Sequence, residues 1–347
     1  MPKLDLEQTR PGYDVAIIGA GPAGCIAAKC LAKKYTVLLV DYRSLPRSKP
    51  CGGLLVSQAI EELKQFGLSD DFVVPPQTLD IEYVDFDNNT RKTIPKGFMN
   101  IDRRQFDSSV FSLVPNSVDV VDRTKLADFT YTTDKKYHVL ILESNGSIKP
   151  VVANFLIGAD GALSSVREKI SRQRVPYYIA IQELTTGCKL DRAIFFYNDD
   201  ITDFYSWIIP KGDKTLIGSA LKPAKAREKF NQLKEFVKSQ YGLHDGGAID
   251  SAIILRPETQ KDICLGLGTV FLVGEAAGLI SPSSGEGISF ALASGRICAE
   301  SIITGGRNPL DLYKNKAKPL IGRVISKLEK SQKIKSKKSR LGLMLEK

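Results

Sequence analysis

Gly19, Gly21 and Gly24 stand at the spacing that lets a main chain close around a pyrophosphate. They follow the apolar run Val15-Ala16-Ile17-Ile18 and continue into Cys25, so residues 15–25 read as buried strand, G-x-G-x-x-G turn and helix. Gly19 allows the tight turn, Gly21 lets the backbone approach phosphate, and Gly24 lets the helix pack on the strand. Pro22 and Ala23 open that helix. Its first N–H groups point at the phosphates, where the macrodipole also favours negative charge. A second apolar run, residues 35–40, ends in Asp41, 22 residues after Gly19. An acid there can accept the hydroxyls of an adenosine ribose, and Arg43 beside it is counted with the same nucleotide site.

Two later segments turn a dinucleotide expectation into a flavin one. Residues 156–167 form another strand–turn–helix, with Asp160 and Gly161 in the turn. Residues 270–288 form a third, with Gly274 and Glu275 at a strand end and Gly285, Glu286, Gly287 and Ile288 at a helix start. Glu275 is placed to accept a hydrogen bond from a ribityl hydroxyl. The unpaired N–H groups of a helix start suit the negative charge that a reduced flavin carries near N1 and O2. Arg103, opening a short helix with Phe106 and Asp107, is expected to bridge to the phosphates or adenosine of FAD. No metal site is expected.

Three residues are candidates for the chemistry itself. Cys51 sits in the tight loop Pro50-Cys51-Gly52-Gly53. Its thiol can donate a proton, exchange with another thiol, or fill space as a small apolar group. Tyr205 and Trp207 lie two apart, as does Ile209, so on a strand they share one face. That face can line an apolar cavity, and its aromatic rings can stabilise developing positive charge by roughly 0.5–2 kcal/mol per contact. Packing in an ordinary core is the competing reading of both aromatics.

The quartet of Gly19 to Gly24, Arg103 with Phe106-Asp107, Gly158-Ala159-Asp160-Gly161, and Gly274-Glu275-Ala276-Ala277-Gly278 resembles the flavoproteins of the p-hydroxybenzoate hydroxylase fold. Lys49-Pro50-Cys51-Gly52-Gly53 and residues 205–211 are similar to the geranylgeranyl reductase family. That resemblance covers about residues 13–310. It implies a FAD-dependent oxidoreductase that reduces carbon–carbon double bonds of a prenyl or other hydrophobic, lipid-like substrate, with hydride from flavin N5. It also places Cys51, Gly52 and Gly53 against the flavin. NAD(P)H or a reduced carrier protein is the expected external electron donor. Glu275 stands where the wider fold usually has Asp. Tyr205-Ser206-Trp207-Ile208-Ile209-Pro210 is one aromatic away from the Trp-x-Trp-x-Ile-Pro pattern of flavin-dependent halogenases. The competing functions are therefore a flavin monooxygenase or halogenase, or a non-catalytic membrane-associated flavoprotein.

The elements that must position these residues read as α/β. A Rossmann-like FAD-binding domain is expected from residues 1–74, 100–175 and 258–310, interrupted by an antiparallel-sheet substrate domain from 75–99 and 176–257. Pro75-Pro76 reads as a break, Asn145-Gly146 as a hairpin turn, and residues 178–220 as continuous strands. A helix is expected over about 224–241 and a long one from near Gly287.

The chain has 347 residues, enough for one large or two modest cores, and is 43% hydrophobic and 25% charged. No apolar run reaches bilayer length, and the first ten residues hold no signal-peptide core. Cysteines 25, 30, 51, 188, 264 and 298 form no CxxC pair, which argues against a disulfide framework or zinc site and for a reducing cytoplasm. There are two histidines, and His138, in an apolar strand-like segment, reads as structural. Histidine-dependent hydrolysis thus has little support. Of the +10 net charge, residues 311–347 carry twelve Lys or Arg against three acids, a local +9. With Leu320, Val324, Ile325 and Leu328 at helical spacing, this basic C-terminal helix and tail is expected either to be solvated or to lie on an anionic membrane, peripheral on its inner face. Nucleic acid is not expected, because no aromatics interleave with the charges after Tyr313.

Overall fold

The computed structural model describes residues 3–132, 137–171, 173–187, 190–244 and 246–345. The chain runs β1 (Gly12–Ile18), α1 (Pro22–Leu31), β2 (Val37–Val40), β3 (Leu54–Leu55), α2 (Ser57–Lys64), β4 (Val73–Asp85) and β5 (Thr90–Ile101). Then come α3 (Arg103–Ser112), β6 (Asp119–Val121), β7 (Lys125–Tyr131), β8 (His138–Ser144), β9 (Ser147–Gly158) and α4 (Ser165–Ile170). They are followed by β10 (Tyr177–Thr185), β11 (Ala193–Asn198), β12 (Thr202–Lys211), β13 (Lys214–Leu221), α5 (Ala226–Tyr241) and β14 (Ile249–Leu255). Last come β15 (Gly266–Leu267), β16 (Val270–Leu272), α6 (Ile288–Thr304), α7 (Pro309–Lys316), α8 (Lys318–Ile325), α9 (Leu328–Ile334) and α10 (Lys337–Leu345).

The strands form two sheets. The first has the order β15-β16-β9-β1-β2-β6, with β8 and β7 attached through β9. Its centre, β16-β9-β1-β2-β6, is parallel. β1 and β2 are buried on both faces, as parallel strands covered by helices must be. Ile18, Gly158 and Leu272 pair in one register at the carboxyl ends of β1, β9 and β16. The three glycine-rich turns therefore leave the sheet side by side, at the edge where open parallel sheets bind ligands. α1 and α6 cross closely there. A Cβ on Gly295 would strike the Ala23 backbone.

The second sheet runs β14-β10-β13-β12-β11-β4-β5-β3. β11 pairs parallel with β4, and every other neighbouring pair is antiparallel. One face packs on α5, with Phe230, Leu233 and Val237 against Ile194, Ile208 and Ile217. The other faces the first sheet's glycine turns. Pro75 and Pro76 differ from the expected break: they lie inside β4, where pairing with β5 skips between Val73 and Thr78. A proline's missing N–H is tolerated at such an irregularity. Asn145-Gly146 makes the expected turn between β8 and β9, both residues at positive φ.

Residues 311–345 depart from the expected helix and tail. They form four short helices folded onto the molecule. Tyr313 donates to the Leu272 carbonyl at 2.9 Å, and Leu310, Tyr313, Leu320 and Val324 join the core of the first sheet. Leu320 and Val324 are thus buried, Leu328 is half-buried, and Ile325 alone of the apolar four is exposed. Two of the four residues in the stripe that suggested a membrane surface are spent inside the protein. Among the described residues no helix is long and apolar enough to cross a membrane. The described cysteines are all free thiols. Cys188 lies outside the described residues.

Candidate active site

The glycine turns, the 47–54 loop and the second sheet enclose one cavity, part of it continuous with solvent. Gly21, Pro22, Ala23, Gly161, Gly274, Glu275, Gly285, Glu286, Gly287 and Ile288 line one side. Cys51, Gly52, Gly53 and Arg103 line another, and Tyr205 and Trp207 face them from β12. One continuous space thus brings together residues more than 250 positions apart.

The phosphate end is built by backbone geometry. Gly19 has φ of 105°, and a side chain there would collide with the Ala159 backbone. A Cβ on Gly24 would meet the Gly19 carbonyl. These two hold turn, strand and helix together but do not line the cavity. A Cβ on Gly21 would stand 2.9 Å from Arg47 Nη2, so only the bare glycine lets the guanidinium lie directly over the turn. Arg47 is a residue that sequence reasoning missed. Its Nε bonds Asp41 at 3.0 Å, so β2 orients the cation at the phosphate turn.

Asp41 is buried and committed within the chain. It accepts from Ala20 N at 2.8 Å, Arg43 N at 2.9 Å and Arg47 Nε. Its role here is to shape the turn. Arg43 stands outside the cavity: its side chain is exposed and lies over the Tyr42 ring. Asp160 also turns away. Its carboxylate accepts from Ser164 Oγ at 2.5 Å, Ser165 Oγ at 3.2 Å and Val166 N at 3.3 Å, which fastens the start of α4. Burial raises its pKa.

Other charges on the wall are paired. Lys49 Nζ lies 2.6 Å from Glu275, whose second oxygen accepts from Leu255 N at 2.8 Å. Arg103 Nε bonds Asp107 at 2.9 Å. Burial alone would lower the Arg103 pKa, but Asp107 and Cys51 beside it outweigh this and raise it, so it stays cationic. Glu286 accepts from Ser289 N and Oγ at 2.8 and 2.9 Å, and burial raises its pKa.

The loop of Cys51 is held by a second residue absent from the sequence-based candidates. Lys211, at the end of β12, donates to Gly53 O at 3.0 Å, Asn100 Oδ1 at 2.6 Å and Ile101 O at 2.9 Å. Burial lowers its pKa to about 8. Cys51 Sγ accepts from Gly53 N at 3.3 Å and faces the cavity.

The wall opposite the glycine turns is aromatic and aliphatic. Tyr205, Trp207 and Ile209 share the cavity face as their alternation requires, while Ile208 points into the α5 core. Tyr83 and Phe195 extend the wall, edge to face at 5.8 Å, and Phe195 meets Tyr205 at 5.2 Å. The Tyr205 hydroxyl donates to Ser284 O at 2.5 Å, which ties the wall to the loop before Gly285. Tyr83 and Phe195 were legible only as strand residues, because the face they occupy depends on register with β12.

Residues 12–186 match the family described as FAD binding domain. The chain belongs to this family of FAD-binding flavoproteins, and FAD is its cofactor. At 34% identity, Protein CbrA of Escherichia coli O6:H1 (strain CFT073) aligns with 92% of this chain and 89% of its own length. The fold is that of a geranylgeranyl bacteriochlorophyll reductase-like protein from Thermoplasma acidophilum (TM-score 0.80, 19% identity, 95% of this chain and 89% of that one). It is likewise that of the flavin-dependent brominase Bmp2 (TM-score 0.71, 18% identity, 96% and 92%). The cavity-lining turn at Gly21, the Arg47 cation over it and the turns at Gly161 and Gly274 fit FAD. Gly21 to Ala23 and Arg47 would hold its pyrophosphate. Glu275 and residues 285–288 would flank its ribityl chain and ring. The protein is therefore a FAD-dependent oxidoreductase of the α/β, p-hydroxybenzoate hydroxylase-like class.

Proposed function

We propose that the protein reduces a carbon–carbon double bond in a hydrophobic, prenyl- or lipid-like substrate, with electrons from NAD(P)H or a reduced carrier protein. The observation that carries this is the wall opposite the glycine turns. Ile81, Tyr83, Phe195, Tyr205, Trp207 and Ile209 offer a long apolar surface. Bound FAD supplies hydride chemistry at N5, which the protein must position and keep dry. An isolated alkene also needs a proton at its second carbon. Cys51 Sγ is the donor on the cavity wall, since the Tyr205 hydroxyl is committed to Ser284 and its pKa is raised by burial. Lys211 and Arg103 keep the Cys51 loop in place.

A second reading, a flavin monooxygenase or halogenase, is favoured by residues 205–210 and by the fold shared with the brominase. Oxygen separates the two. Reduced, FAD-loaded protein should saturate a long apolar alkene under strict anaerobiosis. Product that forms only in air, carrying oxygen or halide, establishes the second reading instead. Cys51→Ala should keep FAD and lose most turnover in the first case.

A further inference from the structure

We propose that Arg323 of α8 tunes the reduction potential of the bound flavin by pairing with Glu286 at the start of α6. The inference rests on the placement of the flavin ring beside residues 285–288, and it holds for either reaction above. Among the described residues, five charged ones line the cavity: Arg47, Lys49, Arg103, Glu275 and Glu286. Arg47 pairs with Asp41, Lys49 with Glu275, and Arg103 with Asp107. Glu286 alone of the five takes its partner from the basic C-terminal segment.

Several contacts fix the pair. Arg323 Nη2 lies 3.6 Å from Glu286 Oε2 and donates to Ser289 Oγ at 2.8 Å. Ser289 in turn donates to Glu286 through N and Oγ, at 2.8 and 2.9 Å. The guanidinium also sits over the Phe290 ring, 4.2 Å from its centre. Ser289 and Phe290 are buried. α8 is itself anchored, with Leu320 and Val324 in the core of the first sheet. One helix thus carries a cation to the start of another and holds it there.

Electrostatics gives the sign. Reduced flavin carries negative charge near N1 and O2, and the positive end of α6 favours it. A carboxylate at the same helix start opposes it. Glu286 also occupies the Ser289 N–H, one of the donors that α6 would otherwise present. With Arg323 in place the pair has no net charge. Without it, the acid faces the added electrons uncompensated. Arg323 does not line the cavity, so it is a positioning residue that acts through Glu286. Its side chain is 33% exposed, and water screens part of its field.

The test measures a potential, not turnover. FAD-loaded, full-length protein is reduced stepwise at pH 8 without oxygen or substrate, beside a reference dye, and flavin absorbance gives the potential. Arg323→Met should lower the ratio of reduced to oxidised flavin about tenfold at a fixed potential, which is about 30 mV for a two-electron couple. Glu286→Gln should move the potential upward, and the double variant should return toward the native value. Arg323→Lys keeps the charge and should stay closer to native than Arg323→Met does. An unchanged potential in Arg323→Met, or an equal fall in Arg323→Lys, overturns the proposal. If Arg323→Met does not fold or hold FAD, Glu286→Gln decides, and the absence of a rise overturns the proposal. A potential that Glu286→Gln leaves unmoved also shows that the ring does not lie beside residues 285–288, so placement and inference fall together. A rise in Glu286→Gln beside a native potential in Arg323→Met overturns the inference alone.

Discussion

Arg47 and Gly21 act as one device at the residue scale: the bare glycine lets the guanidinium lie on the phosphate turn, where it supplies charge. Gly21→Leu should push the guanidinium aside and cover the turn. The variant should fold but lose most of its FAD, seen as the flavin-to-protein absorbance ratio after gel filtration. Full retention of FAD would contradict the placement of the pyrophosphate. His138 makes a different residue-scale prediction. It is fully buried, with Nε2 2.7 Å from Thr269 Oγ1 and Nδ1 without a partner. Burial lowers its pKa to about 4. The unfolded chain protonates this residue near pH 6.5, so between about 6.5 and 4 the unfolded state binds a proton that the native state does not. Stability must then fall as the pH is lowered through that window. His138→Phe should flatten that part of the decline, measured as urea midpoints from pH 7 to 4. Parallel curves would show that His138 does not carry it.

At the scale of elements, α7 and α8 pack on the first sheet while α9 and α10 are fastened to the second. Arg340 on α10 is 1% exposed and bonds Asp85 at 3.0 Å, Asp199 at 2.7 Å, the Ile334 carbonyl at 3.0 Å, and Asp87. Arg256, fully buried, donates to Ser331 Oγ and O at 3.3 and 3.2 Å and to Tyr178 at 2.9 Å. Two arginines thus fasten α9 and α10 to the cavity sheet. Ile334 and Met344 pack on Tyr197, in contact with Tyr83 and Tyr205 of the wall. Arg340→Met would leave Asp85 buried without its cation, a loss of about 3–5 kcal/mol. Chemical denaturation should show it, and a change under 1 kcal/mol would mean the cluster contributes little.

The whole molecule carries +10, concentrated in a C-terminal segment whose Leu310, Tyr313, Leu320 and Val324 face inward, while Ile325, Leu341 and Leu345 are exposed singly. Any attraction to a lipid surface then rests mainly on charge. Vesicle binding should require anionic lipid and vanish by about 0.5 M salt, where screening lengths fall to a few ångström. Co-sedimentation with neutral vesicles, or binding that resists salt, would show that apolar insertion occurs after all. A chain ending at residue 306 should lose thermal stability, because Leu310, Tyr313, Leu320 and Val324 leave the core with it.

The glycine turns, the α/β order and the alternation of Tyr205, Trp207 and Ile209 were all legible in the sequence. Each depends on local spacing, and spacing sets turn conformation and strand face. The same locality explains what was hidden. Whether Asp41, Arg43 and Asp160 meet a ligand or the protein depends on which donors the fold brings near. Arg47 enters the cavity through its bond to Asp41. Lys211 reaches the Cys51 loop across a sheet contact. The apolar stripe at Leu320 and Val324 carries the same periodicity whether it meets lipid or protein. Periodicity in the sequence establishes that an apolar face exists; only tertiary packing decides what covers it.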